Sequence, residues 1–107
     1  MYTFDPDRHY LVLTQKAGSS LRSLCNYRAA KEQQLRNMLV PALKHGIVVA
    51  EYEDTKGRGR AVEMECESYW NYGTTFRATI MFGVDMQGKP KMSPDGKKQC
   101  VFLVGVE

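Results

Sequence analysis

The chain has 107 residues, 43% of them hydrophobic and 25% charged, with a formal net charge of +3. This length supports one domain with a real core, burying roughly 60–70% of its unfolded surface, and is too short for two; the composition excludes a disordered or low-complexity chain. No apolar run approaches the roughly 20 residues needed to span a bilayer, and the opening MYTFDPDRHY has no apolar leader core. The expectation is a single domain over residues 1–107, soluble and cytoplasmic.

After the turn residues Asp5-Pro6-Asp7, the stretch HYLVLTQ (9–15) reads as a first strand. Gly18-Ser19-Ser20 then offers a hydroxyl cap for one long helix, in which Leu21, Leu24, Cys25, Leu35, Met38 and Leu39 recur at helical spacing. Arg28 and Glu32 interrupt that stripe, so either this turn overhangs the sheet, the reading favoured, or the charges face a partner or second subunit. Pro41 predicts a kink or the first residue of a short second helix. Lys44-His45-Gly46 reads as a terminus, with basic side chains near the negative helix end and a glycine suited to a left-handed cap.

From residue 47 onward, four β-rich runs (47–54, 60–70, 74–85 and 99–106) are separated by turn chemistry, which predicts an antiparallel meander. In AVEMECESYW, Val62, Met64, Cys66 and Trp70 alternate with Glu63, Glu65 and Glu67, so one face is buried and the other wet. A three-residue loop Asn71-Tyr72-Gly73 would pair Met64 with Ile80, Cys66 with Ala78 and Glu67 with Arg77. Ser93-Pro94-Asp95-Gly96 is a type I turn signal before the closing strand QCVFLVGVE. The fold class expected is therefore α+β: one N-terminal strand, one long helix, then a four-stranded antiparallel meander, the curved sheet packed on the helix. That order resembles cystatin-like folds in arrangement, without their inhibitory loop motif. LVPALKHGIVV, about a tenth of the chain, resembles a segment of phage-type ERF single-strand annealing proteins, which implies single-stranded nucleic acid as a ligand.

Candidate chemistry is sparse. Cys25, Cys66 and Cys100 lack metal or disulfide spacing, and neither His9 nor His45 sits in a nucleophile–base pattern, so catalytic residues, cofactor and metal are all expected to be none. The glutamates of residues 51–67 could ligate a hard cation or receive a basic partner, and read more simply as a solvated sheet face.

Two surfaces remain. The first and last strands are apolar on both faces, and one helix covers only one. Leu11, Leu13, Met81, Val101 and Leu103 are therefore expected to form an open apolar strip that meets a protein partner or a second copy of the chain. The second surface starts at TKGRGRA (55–61), where two glycines and three cations either grip an anion or form a turn. If the meander gathers its loops and the helix start at one end, Lys56, Arg58, Arg60, Lys89, Lys91, Lys97 and Lys98 would join Lys16, Ser19 and Ser20 as an anion or nucleic-acid site. The leading functional expectation is a non-enzymatic binding or inhibitory protein that acts on a protein partner through the sheet face and loops. The alternative is a nucleic-acid or phosphate-ligand binder using the basic end.

Overall fold

The computed structural model describes residues 3–25, 28–53, 59–68, 70 and 74–107. Its elements in chain order are β1 (His9–Leu13), α1 (Gln15–Cys25), α2 (Glu32–Lys44), β2 (Ile47–Glu53), β3 (Gly59–Glu67), β4 (Thr75–Gly83) and β5 (Gln99–Val106). The five strands form one sheet in the order β1-β5-β4-β3-β2. β2 to β5 are successive antiparallel neighbours, whereas β1 runs parallel to β5, pairing His9 with Gln99 and Leu13 with Leu103. The α+β class holds; the sheet is five-stranded and mixed, with β1 added in parallel to the four antiparallel strands, and the single long helix is replaced by two.

Only one residue separates β1 from α1. Thr14 turns the corner: its hydroxyl donates to the Leu103 carbonyl at 2.9 Å and accepts the Ala17 N–H at 3.3 Å. It therefore serves as the N-cap that the sequence had assigned to Gly18-Ser19-Ser20, which lie inside α1. The helix break has a physical cause. One helix from residue 15 to 44 would be about 45 Å long and would carry the polar stretch from Lys31 to Gln34 across the core. Broken, α1 buries Ala17, Gly18 and Leu21, and α2 buries Leu35, Leu39, Ala42 and Leu43. Leu24, expected in the stripe, is 46% exposed. The Arg22 Nε–H donates to the Ala30 carbonyl at 2.8 Å, holding the connection against α1. Arg28 lies outside both helices, and Glu32 pairs with Arg36 at 3.1 Å.

Pro41 sits within α2 without starting a new helix, and its ring side is exposed. The helix closes through His45 N–H to the Pro41 carbonyl and Gly46 N–H to the Leu43 carbonyl, both at 3.2 Å. Gly46 does not adopt a left-handed backbone. What it provides is room, since a Cβ there would lie 2.9 Å from Met64 Cε and 3.0 Å from Cys66 Sγ.

Both helices pack on one sheet face, where Leu11, Val62, Met64, Cys66, Phe76, Ala78, Ile80, Phe82, Val101 and Leu103 build the core with them. The parity expected for β3 is observed. The β3–β4 register is displaced by two residues, with Met64 opposite Ala78, Cys66 opposite Phe76 and Glu65 opposite Arg77. A two-residue slip returns every side chain to its expected face. The partners change, however, and Arg77 reaches Glu65 at 3.1 Å and Glu63 at 3.9 Å. The expected loop Asn71-Tyr72-Gly73 lies outside the described residues.

Candidate binding face

With the helices on one side, the alternate residues of each strand form a second face on which no helix packs among the described residues. β1 contributes Tyr10 and Val12, β5 contributes Phe102 and Val104, and β4 contributes Thr79 and Met81. The apolar strip expected here is accordingly split. Leu11, Val101 and Leu103 are buried in the core beneath the helices, and Leu13 packs against that core. Of the five residues only Met81 lies on the open face. The parity error follows from β1 and β5 being apolar on both faces, which left no polar alternation to say which set faces the helices.

The segment after β4 gives this face its relief. Asp85 accepts the N–H groups of Gln87 and Lys89, each at 2.9 Å, folding the chain back so that Val84 pairs with Pro90. The Lys91 N–H then donates to the Gly83 carbonyl at 3.1 Å, and the Lys91 carbonyl accepts the Cys100 N–H at 2.7 Å. Residue 91 is thus wedged between the end of β4 and the start of β5. Its ammonium lies 5.6 Å from the Phe102 ring centroid, in cation–π range. The wedge walls a cleft of about 290 Å³ lined by Met81, Gly83, Val84, Phe102 and Val104, with Lys91 at its rim and Thr14 at its far side. At the sheet edge, Arg36 reaches from α2 to stack 5.2 Å from the Tyr10 ring centroid, and its Nε–H donates to the Leu11 carbonyl at 2.9 Å. An apolar floor with cations laid over its aromatic rings can receive an apolar or planar group that carries negative charge.

The basic end is assembled only in part. Gly59 pairs with Gly83 and Glu53 with Arg60, so the end of β2 and the start of β3 lie at the same end of the sheet as the start of the 84–98 loop. Lys56 and Arg58 lie outside the described residues. Arg60 approaches Glu53 at 3.9 Å. Lys98 donates its Nζ to the Pro6 carbonyl at 2.9 Å, while Lys89 and Lys97 are exposed. Lys16, Ser19 and Ser20 do not join them: β1 enters beside Gln99 and leaves beside Leu103, four steps of about 3.3 Å away. The parallel pairing of β1, which sequence alone did not signal, places the α1 start beside Leu103, midway along the sheet and away from these loops. Ser93–Gly96 forms the expected turn, closed by Gly96 N–H to the Ser93 carbonyl at 2.8 Å. The Ser93 hydroxyl and the Lys97 N–H hold the Asp95 carboxyl below its usual range, so an anion sits among these lysines.

Elsewhere, the buried Ser68 hydroxyl has no hydrogen-bond partner among the described residues, whereas His9 is engaged in structure. His9 is buried between Phe4 and Phe82, and its Nδ1 accepts the Asp5 N–H at 2.9 Å. Burial, then the nearby Arg8 charge, lowers its pKa, so the ring is neutral and inward. Burial pushes the Cys66 thiol up to about 12. A second hollow of about 270 Å³ lies between α1 and α2, beside Arg22, Glu32 and Leu35.

No protein-family model, curated protein or solved structure matches this chain.

Proposed function

We propose that the protein is a non-enzymatic binding domain that holds a protein partner on its open sheet face. The observation that carries this reading is the cleft between Met81, Phe102 and Val104 with Lys91 at its rim. A sheet packed on one side only presents an apolar floor to whatever docks on the other, and a rimmed concavity in that floor gives a side chain a seat. A partner suited to it offers an apolar side chain with a carboxylate close by, to meet Lys91 and the exposed Lys89.

A second reading, single-stranded nucleic acid on the same face, draws on the two aromatic–cation pairs, Tyr10 with Arg36 and Phe102 with Lys91. Rings on an open sheet stack bases, and cations beside them meet phosphates. Glu63 and Glu65 on the neighbouring strand disfavour this, although Arg77 partly offsets them. The protein-partner reading accommodates those carboxylates without cost.

Native co-purification separates the two. Wild-type protein should retain a protein species after nuclease treatment and lose it on Val104→Lys, which blocks the cleft. Retention that nuclease abolishes, or that falls steeply with salt at roughly −0.7 per phosphate in log–log slope, favours nucleic acid instead. Retention unchanged by Val104→Lys contradicts both readings of this face.

A further inference from the structure

The two sheet edges differ. At the β1 edge, Arg36 covers the strand by bonding the Leu11 carbonyl and stacking on Tyr10. At the other edge, among the described residues, the sheet has no strand beyond β2. Three of the six exposed large apolar side chains among the described residues lie on this one strand: Ile47 at 69%, Val49 at 47% and Tyr52 at 45%. An uncovered edge with exposed apolar side chains is a template for another strand.

β2 also carries an irregularity. A bulge between Val48 and Ala50 shifts the register, so Ile47 opposes Glu65 and Tyr52 opposes Ala61. Ile47 and Tyr52 are five residues apart, an odd separation that would put them on opposite faces of a regular strand. The bulge brings both onto the open face, and it brings Val48 and Glu51 together onto the helix-covered face, opposite Met64 and Val62.

The charges are arranged end to end. Lys44 and His45 precede the strand, its middle is apolar, and Glu51 and Glu53 close it, all four exposed. Laid antiparallel against a copy of itself about an axis between Val49 and Ala50, the strand sets Ile47 beside Tyr52 of the second copy and Val48 beside Glu51. Every such pair shares a face, and Lys44 of each copy approaches the Glu53 end of the other. Only antiparallel pairing does this; a parallel arrangement sets like charges together at both ends.

We infer that β2 pairs antiparallel with β2 of a second copy of this chain, joining two five-stranded sheets across a twofold axis. This concerns the edge opposite the cleft and stands whatever occupies the open face.

Sedimentation equilibrium of the full chain from ~1 μM to ~1 mM spans the affinities expected of so small an interface. The wild type should dimerise in that range, and Ile47→Lys, at a site exposed enough to spare the fold, should weaken dimerisation at least ~10-fold. Lys44→Glu and Glu53→Lys should each weaken self-association, while a mixture of the two single variants should form a heterodimer at wild-type strength, because each end then meets its opposite charge. Amide exchange in residues 47–53 should slow as wild-type concentration rises. A wild type that stays monomeric throughout overturns the inference and leaves an extended segment of another protein as the occupant of this edge. A dimer indifferent to Ile47→Lys, or a mixture no stronger than its components, overturns it as well.

Discussion

Replacing Leu103 with alanine tests the assignment of faces on β5. Leu103 is completely buried, pairs in register with Ile80 and packs beneath both helices. Its backbone carbonyl, which accepts from Thr14, survives the substitution, so the loss is one of packing. Truncating a fully buried leucine costs about 2–5 kcal/mol, the transfer energy of the lost carbons plus the cavity they leave. Domains of this size are stable by about 5–15 kcal/mol, and each kcal/mol moves the midpoint by about 4–8 °C, so Tm should fall by roughly 8–40 °C. Val104, the next residue, faces the open cleft, and Val104→Lys should cost no more than about 1 kcal/mol. Thermal and urea unfolding of the two variants, followed by circular dichroism, reads the contrast directly. Equal losses in both variants, or a larger loss for Val104→Lys, would refute the placement of the helices over the odd-numbered residues of β5.

The burial of His9 gives stability a pH dependence. Its folded pKa lies below the unfolded value of about 6.5, so its contribution is fully present above that pH and is lost as pH falls through the folded pKa. The urea midpoint should therefore drop more steeply below pH 6.5 in the wild type than in His9→Gln, and parallel curves would contradict the buried neutral ring. Gly59 has a φ of +135°, and a Cβ there would overlap the Phe82 carbonyl oxygen. Gly59→Ala should cost at least ~2 kcal/mol from backbone strain and crowding together, measured by the same melts, and a neutral result would dissolve the close approach of β3 to β4. Arg36→Ala removes a charged donor from the Leu11 carbonyl and should cost about 1.5–3 kcal/mol, with faster amide exchange along β1; unchanged exchange would deny Arg36 its role at that edge.

The parts of this fold legible in the sequence are those where polar and apolar residues alternate. Glu63, Glu65 and Glu67 marked the wet side of β3, and through β3 the faces of β4 followed. β1 and β5 carry apolar residues on both sides, because one side lies under the helices and the other floors the open face. Nothing in that pattern distinguishes Leu11 from Val12. The helix break was hidden by leucines spaced so that two short helices and one long helix give the same stripe. Its signal was the polar run from Lys31 to Gln34, together with Thr14 standing where a cap belongs. The open face itself was anticipated, but its occupants were exchanged, and the Lys91–Phe102 contact depends on a long-range wedge that local spacing does not encode. Of TKGRGRA, the described part shows Gly59 serving a close strand approach and Arg60 approaching a glutamate.

The central claim is that the open face is the binding face, and oxidative footprinting of the native complex reads it at single side chains. Met81 lies on the cleft floor, Met64 is buried in the core and Met86 is fully exposed on the 84–98 loop. Binding on the open face should protect Met81 and Phe102 from hydroxyl-radical labelling several-fold while Met64 stays unlabelled in both states. A complex in which Met81 and Phe102 label as fast as in the free protein would contradict the account.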